Sequence, residues 1–454
     1  MRYCVHWYGC FNMNIIYMHT HDSGRYIQPY GFNIPTPNLL NLAKESTLFR
    51  HCYSAAPVCS ASRASLLTGT WPHVNGMIGL AHRGFTLNDY SMHLSKYLAA
   101  HDYETALAGA QHEDVHPENL GYQRILKNEK QPDTENTDSV TRDLHSAKIA
   151  VEYLEEKALK KDKFFLSFGM TNTHRKYPDH KGRVDDAYVQ PPFPLYDTRA
   201  NREDMADYMT SASVVDQCAG IVIDTLAKTG LDKNTLVIFT TDHGIAFPNM
   251  KCSLYDTGIG VSLIVRYPGN SAAGKATDAL VSQIDLFPTI CELCGLPIPQ
   301  WTRGKSLKPV LENPDASVNK AIFAEVTYHA AYEPMRCVRT DRYKLIRHFD
   351  FHNQRPPSNT DDGLSKRFVM EAGFFKHPIP REQLFDLWLD PVERINLIND
   401  PEYQNTYKEL SLLLWDWMEK TDDPLLKHPY RVPAPAGAVV NTLSCLQPQK
   451  QELE

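Results

Sequence analysis

Short apolar runs alternate with longer amphipathic stretches along the first two thirds of the chain. The apolar runs predict buried strands at residues 14–18, 47–49, 104–109, 164–170, 235–240 and 261–266. The amphipathic stretches predict helices at residues 39–46, 92–100, 147–160 and 204–229. Because strands that are apolar throughout are typical of parallel sheets covered on both faces, we expect an α/β fold with a mostly parallel sheet sandwiched by helices.

The pattern changes after residue 312. Strand-like pieces follow one another without long helices between them, at residues 321–326, 336–338, 343–346 and 383–386. A last amphipathic helix is predicted over residues 407–421. We therefore expect a main domain over residues 1–312 and, over residues 313–454, a small antiparallel α+β subdomain with a terminal helix. Residues 355–363, rich in Pro, Asn and Asp, predict an exposed loop.

Composition and charge narrow the class of protein. The chain has 454 residues, of which 42% are hydrophobic and 22% charged, as in ordinary globular proteins. A net charge of −7 argues against a surface that wraps polyanions, so we expect no nucleic-acid partner. No run is long and apolar enough for a membrane helix, so we expect no membrane partner either.

The N-terminus and the cysteines bear on the compartment. The segment before Met13 lacks the pattern of a signal peptide, and we hypothesise that translation starts at Met13. The ten cysteines are irregularly spaced, which is typical of reduced proteins. We therefore expect a cytoplasmic location.

One stretch, residues 56–69, combines a Cys, an Arg and several small residues. Ser60 and Ser62 are helix-start residue types and Gly69 is a stop signal, so the stretch predicts a loop that turns into a helix. Cys59 would then lie where unpaired backbone N–H groups favour anions, with Arg63 one turn later on the same side. Taken alone, these residues fit a buried structural Cys more simply.

Three of the predicted buried strands end in turns that carry His or Asp, namely His21-Asp22, His174 and Asp242-His243. The carboxyl ends of parallel strands meet at one edge of an open sheet, and ligands bind in the crevice outside that edge. We therefore expect these side chains to lie close together and near Cys59.

The Cys59 stretch resembles the signature of the sulfatase family, with Cys, Ser, Arg, Leu and Thr-Gly in register and Ala61 in place of the usual Pro. Further stretches match the family in order, at residues 21–24, 36–39, 71–77, 239–244, 282–289, 303–307 and 384–397. Within the family, residues 59–77 and 236–248 are similar to the N-sulfoglucosamine sulfohydrolase (heparan N-sulfatase) subgroup. The resemblance implies an alkaline-phosphatase-like fold and hydrolysis of sulfate esters or sulfamates, with sulfated sugars as substrates.

The resemblance also implies catalytic roles. Cys59 would be oxidised to formylglycine, whose hydrate supplies the nucleophile, and Arg63 would hold that hydrate. His112 would activate the hydrate, His174 would act as the general acid, and Lys251 would bind the sulfate.

A divalent metal is implied by the same resemblance, held by His21, Asp22, Asp242, His243 and the oxygen that replaces the sulfur of Cys59. Family resemblance indicates Ca²⁺. The imidazoles shift the preference towards Mn²⁺ or Zn²⁺, because Ca²⁺ favours oxygen ligands.

Substrate contacts are predicted in the C-terminal subdomain, at Glu325, His329, Glu333 and Arg336. Ala61 indicates that the partner enzyme that modifies Cys59 is a radical-SAM maturase of a bacterial cytosol, since the aerobic oxidase favours Pro there. Two alternatives remain open. One is a phosphodiesterase or phosphonate monoester hydrolase of the same superfamily, and the other is a sulfated-glycan-binding pseudo-enzyme in which Cys59 stays a thiol.

Overall fold

Strands and helices alternate along most of the chain. A computed structural model describes residues 13–127, 137–350, 353–428 and 431–435, so the segment before Met13 lies outside the described residues. The helices are α1 (Pro37–Lys44), α2 (Cys59–Thr68), α3 (Pro72–Asn75), α4 (Leu94–Ala99), α5 (Ser139–Lys160), α6 (Arg199–Thr229), α7 (Asp256–Ile259), α8 (Leu286–Leu293), α9 (Lys308–Glu312), α10 (Leu364–Glu371) and α11 (Gln404–Lys420). The strands are β1 (Asn14–Thr20), β2 (Thr47–Phe49), β3 (Cys52–Tyr53), β4 (Glu104–Gly109), β5 (Arg124–Ile125), β6 (Phe164–Gly169), β7 (Thr235–Thr241), β8 (Gly260–Val261), β9 (Leu263–Arg266), β10 (Lys275–Thr277), β11 (Val281–Ser282), β12 (Ala321–Tyr328), β13 (Tyr332–Thr340), β14 (Tyr343–His348) and β15 (Glu382–Asp386).

The main sheet has eight strands in the order β10-β2-β9-β7-β1-β6-β4-β5. Strands β7, β1, β6, β4 and β5 are mutually parallel, and β9 is antiparallel to both of its neighbours. The sheet is therefore mostly parallel, as the apolar runs predict. Every residue of β1 is buried because both faces of the sheet are covered.

Helices cover the two faces of this sheet. One face packs against α1, α5 and α6 through residues such as Leu39, Leu154 and Val215. The other packs against α2, α4 and α8 through residues such as Leu67, Leu98 and Phe287. This three-layer arrangement confirms the predicted fold class. Among the described residues, no helix combines the length and the apolar character needed to cross a bilayer.

The C-terminal strands form a separate antiparallel sheet in the order β12-β13-β14-β15, which confirms the predicted change of architecture. One face packs on α11, with Leu345 against Leu414 and Trp417 in one cluster. The other face shares a hydrophobic cluster with the Cys59 region, which contains Ala324 and Ala61. The domain boundary after residue 312 stays a prediction.

Several element bounds differ from the predicted ones; the helices predicted over residues 147–160 and 204–229, for example, begin earlier, at Ser139 and Arg199. Two further differences concern the burial of a segment and the division of a strand. Residues 356–359 are buried rather than exposed, because Asn359 Oδ1 accepts from Ala331 N at 2.8 Å and Asn359 Nδ2 donates to Glu333 at 2.9 Å. The predicted strand over residues 261–266 is divided at Ser262. There Ser262 N donates to Gly24 O at 2.8 Å, so β8 joins a small sheet with β3 and β11 while β9 stays in the main sheet.

Candidate active site

Four neighbouring strands of the main sheet deliver the predicted polar residues to one edge. The strands β7, β1, β6 and β4 are adjacent and parallel, so their carboxyl ends lie side by side. The ring of His21, after β1, lies 4.5 Å from that of His112, after β4, and 5.5 Å from that of His174, after β6. Asp242 and His243 follow β7. The crevice predicted from the strand ends is thus present.

Cys59 is the first residue of α2, and its thiol faces this edge. The preceding Val58 is extended and Gly69 ends the helix at φ 68, as the small-residue run predicts. The sulfur lies 3.3 Å from His243 Nε2 and 3.9 Å from Asp22 Oδ1. Burial raises the pKa of the Cys59 thiol well above its ordinary value, so the unmodified side chain is a poor nucleophile.

Arg63 is buried one turn along α2 and binds the same cluster. Its Nη2 donates to Asp242 Oδ2 at 3.0 Å and to Thr20 O at 2.7 Å. Its Nη1 lies against His19 Nδ1. Because a guanidinium only donates, His19 Nδ1 must be the acceptor, which agrees with a pKa of His19 that burial lowers well below its ordinary value. Arg63 is therefore fixed as the counter-charge of Asp242.

Lys251 joins the cluster to the C-terminal part of the chain. Its Nζ donates to Asp22 Oδ2 at 2.9 Å and to Asp361 Oδ2 at 2.8 Å. Burial opposes the charge of Lys251, but the two carboxylates raise its pKa well above the ordinary value, so the ammonium is retained. Asp361 was not predicted, because it belongs to the segment expected to form an exposed loop and no local pattern distinguishes it.

The geometry and donor types of this cluster fit a divalent metal. One ligand atom from each of His21, Asp22, Cys59 and Asp242 lies within 4.8 Å of the others. His21 Nδ1 is buried without a hydrogen-bond partner, 3.4 Å from Asp242 Oδ2.

His243 supports the same interpretation. Its Nδ1 contacts the carbonyl of Gly244 at 3.0 Å and must donate, and its Nε2 faces Asp22 Oδ1, 3.4 Å away. In the tautomer with its only proton on Nδ1, the Nε2 lone pair is directed at this oxygen. Two lone pairs facing each other require a cation or a proton between them. Imidazole and carboxylate together suit Mn²⁺ or Zn²⁺ as well as Ca²⁺.

His112 and His174 lie on the open side of the cluster. Burial and the charge of Arg63 lower the pKa of His112 to about 3, so its ring is neutral near pH 7 and can accept a proton. His174 Nδ1 contacts Arg175 O at 2.5 Å and must donate to it. Nε2 of His174 is then available to a ligand. A free ring nitrogen is what the predicted role of His174 as a general acid requires.

The four predicted substrate contacts divide into two pairs. His329 is buried within electrostatic reach of Lys251 and Asp361, and burial lowers its pKa well below the ordinary value. Glu333 lines a small cavity together with Lys251. The other pair has partners elsewhere: Glu325 accepts from His73 N at 3.0 Å, and Arg336 binds Asp423 through Nε at 2.6 Å and Nη2 at 3.0 Å. The structure therefore brings His329 and Glu333 to the site, but not Glu325 or Arg336.

Comparisons with known proteins agree with this arrangement. The sequence model of the sulfatase family matches residues 14–296, and the model described as N-sulphoglucosamine sulphohydrolase, C-terminal, matches residues 247–355. Human N-sulphoglucosamine sulphohydrolase is 30% identical over 92% of this chain and 90% of its own length. An N-acetylglucosamine-6-O-sulfatase of Bacteroides thetaiotaomicron is 24% identical over 90% of this chain and 87% of its own.

A solved structure supports the fold. It is of a protein in complex with its substrate D-glucosamine-2-N,6-O-disulfate, and it superimposes with a TM-score of 0.69 at 21% identity, over 91% of this chain and 98% of that one. Together these findings confirm the family, the subgroup and the alkaline-phosphatase-like fold that the motifs indicated.

Proposed function

This chain belongs to the sulfatase family and is a hydrolase of sulfuric esters, and from that premise we propose that it cleaves sulfate esters or sulfamates of sulfated sugars by means of a formylglycine made from Cys59. The observation that carries the proposal is the position of Cys59. Its sulfur lies at the start of a buried helix, 3.3 Å from His243 and 3.9 Å from Asp22. A structural Cys would have no need of carboxylate and imidazole groups around its sulfur.

The unmodified polypeptide contains neither a hydroxyl nucleophile at position 59 nor a Lewis acid. Formylglycine and a bound metal would provide these two groups. The formyl group, when hydrated, provides a hydroxyl nucleophile that the high pKa of the thiol denies to Cys59 itself. Asp22, Asp242, His21 and His243 would hold a divalent metal, which would supply Lewis-acid chemistry to the site.

The remaining side chains bind and move protons. Arg63 and Lys251 hold positive charge beside Asp242 and Asp22, where a sulfate would otherwise meet two carboxylates. Neutral His112 accepts the proton of the attacking hydroxyl, and His174 Nε2 donates a proton to the leaving oxygen or nitrogen. His329 and Glu333 contact the sugar.

The relatives support a sugar as the substrate, since the human relative is named for N-sulphoglucosamine and the Bacteroides relative for N-acetylglucosamine-6-O-sulfate. We include a radical-SAM maturase as the partner, because Ala61 replaces the Pro that the aerobic oxidase favours. No disulfide joins the seven described cysteines, all of which are buried, and this agrees with a cytoplasmic location.

The test is to produce the protein with and without a radical-SAM sulfatase maturase and to measure the mass of the Cys59 peptide. We expect an aldehyde or its hydrate only with the maturase, and turnover only in that sample. Aryl sulfate, N-sulfoglucosamine and a phosphonate monoester are then compared under the same conditions. Preference for the phosphonate would favour the alternative hydrolase, and an unmodified thiol without turnover would favour the glycan-binding pseudo-enzyme.

A further inference from the structure

A second cavity opens beside His21, His112 and His174, and Lys251 is not among its lining residues. It has a volume of about 380 Å³, and His21, His112 and His174 form one of its walls. One liquid water occupies only about 30 Å³. The cavity is therefore large enough for a charged substituent of a sugar, such as a sulfate or a carboxylate. The opposite wall is the first half of α5, with Arg142 and His145.

Two basic side chains of this cavity, Arg142 and His145, lack partners among the described residues. Arg142 and His145 are three residues apart on α5 and therefore point to the same side of the helix. Arg142 Nε and His145 Nε2 are buried, and neither side chain has a hydrogen-bond or ion-pair partner in the described part of the chain. Lys127 lies on the lining of the same cavity and is exposed. Buried donors that lack a partner carry a desolvation cost, which a bound acceptor would remove.

The other charges of the cavity are already engaged. Asp143 is the carboxylate among the lining residues, and it accepts from Thr171 N at 2.7 Å and from Asn172 N at 2.8 Å. Arg175 also lines the cavity, but its guanidinium binds Asp204 at 2.7 and 2.8 Å. The net charge that remains available to a ligand is therefore positive.

From these contacts we propose that the cavity binds a second anionic group of the substrate, a sulfate or a carboxylate, while the first sulfate lies at Cys59. This inference rests on the proposed function and specifies its substrate class as sugars with at least two anionic groups. Arg142 is the principal contact because a guanidinium offers paired donors to the oxygens of sulfate or carboxylate. His145 supplies a third donor in the tautomer that carries its proton on Nε2.

The test compares three substrates at equal formylglycine content: D-glucosamine-N-sulfate, D-glucosamine-2-N,6-O-disulfate, and N-sulfoglucosamine linked to a uronic acid. We expect kcat/KM to be about 10- to 100-fold higher for one of the last two, the range that charge-assisted hydrogen bonds supply. Preference for the disulfate identifies a sulfate as the second group, and preference for the uronic acid a carboxylate.

The double variant Arg142→Gln/His145→Gln should lose this preference while keeping the kcat/KM for D-glucosamine-N-sulfate. Lys148→Gln, which removes an exposed charge from the same helix outside the cavity, should keep both. Equal rates for all three substrates, or an equal loss for all three in the double variant, would overturn the inference. The inference would also be overturned if the double variant changed only the inhibition by inorganic sulfate and not the preference among the three substrates.

A binding measurement separates this inference from the proposed function. If no substrate is turned over, the proposed function fails, and calorimetry of the unmodified protein still tests the cavity. We then expect the double variant to bind the disulfate about 10-fold more weakly than the unsubstituted chain or Lys148→Gln. Equal affinities would overturn the inference.

Discussion

Two of the buried charged clusters in the described part of the chain differ in how many of their polar atoms still lack a partner. The catalytic cluster consists of Asp22, Arg63, Asp242, Lys251 and Asp361 with the surrounding histidines. The C-terminal cluster consists of His73, Glu325, Arg336 and Asp423. In the C-terminal cluster both Asp423 oxygens accept from Arg336, and Arg336 Nη1 donates to the carbonyls of Val326 and Met335 at 2.8 and 2.9 Å.

The catalytic cluster leaves ligand atoms without partners. His21 Nδ1 has no hydrogen-bond partner, and His243 Nε2 faces a carboxylate oxygen and a sulfur. The C-terminal cluster also brings His73, Glu325 and Asp423 close together, but there His73 Nδ1 contacts Glu325 and both Asp423 oxygens are bound by Arg336, which leaves only His73 Nε2 without a hydrogen-bond partner among the described residues. Unpartnered ligand atoms that converge, rather than buried charge alone, therefore mark the reactive site.

Removing the nucleophile position gives the largest expected effect. Cys59→Ala should lower kcat by at least about 1,000-fold, because the formyl group has no precursor. The melting temperature should change little, since Ala also fits a helix start packed among small residues. Measurement of kcat and of thermal unfolding on matured protein checks both. Retained turnover would place the nucleophile elsewhere in the cluster.

Breaking the C-terminal cluster should lower stability and leave the activity of the folded enzyme almost unchanged. Arg336→Leu leaves the Asp423 carboxylate buried without its cation, which costs about 3–5 kcal/mol of unfolding free energy. The double variant Arg336→Leu/Asp423→Leu should recover much of this loss. Urea unfolding measures stability, and kcat/KM of the remaining folded enzyme should stay within about twofold.

Lys420→Ala serves as the control for this prediction, because it breaks the exposed pair with Asp416 and should leave stability unchanged. If Arg336→Leu instead raised KM and left stability intact, Arg336 would be a substrate contact after all, as the sequence predicted. The C-terminal cluster would then also take part in substrate binding, and the distinction between a reactive and a structural cluster would fail.

Much of the fold and part of the site could be predicted from the sequence. The strands β2 and β4 have the predicted bounds, because continuous apolar runs between polar turns leave little choice of position. The residues at the strand ends converge because parallel strands share an edge. Ala324 and Phe323 alternate between the two faces of the C-terminal sheet, as period-two runs predict.

Contacts between distant segments could not be predicted in this way. Glu325 and Arg336 have the composition of ligand-binding residues, and only the fold shows that they bind His73 and Asp423. Asp361 belongs to a stretch typical of an exposed loop. It reaches Lys251 because Ser365 N donates to Asp204 at 3.1 Å and Asn359 binds Ala331, contacts that no local pattern encodes.

Asp361 gives the next effect in size and tests whether the C-terminal part contributes to the catalytic cluster. Asp361→Asn should lower kcat/KM about 10- to 100-fold, because Lys251 then loses one of its two charged partners. Asp362→Asn is the matched control, since this neighbour is exposed and binds Lys366 instead. Equal activities of the two variants would show that Asp361 only supports the loop.

The last prediction concerns stability at Glu333, a buried acid that belongs to neither cluster and that the proposed function places against the sugar. Burial raises its pKa from 4.5 to about 8, and Asn359 Nδ2 is its hydrogen-bond partner at 2.9 Å. Between these two pH values the folded protein binds one proton that the unfolded chain has released. The stability that this proton contributes is therefore complete below about pH 4.5 and is lost as the pH rises towards about 8.

Glu333→Gln should remove this pH dependence, because an amide resembles the protonated carboxyl and does not titrate. We expect equal stability of variant and parent near pH 4.5, and a gain of up to about 5 kcal/mol for the variant near pH 8.5. Glu371→Gln, at an exposed position of α10, controls for the change of net charge. A parallel decline of parent and variant with pH would mean that Glu333 is ionised when folded. It would then need a buried cation and would belong to the catalytic cluster.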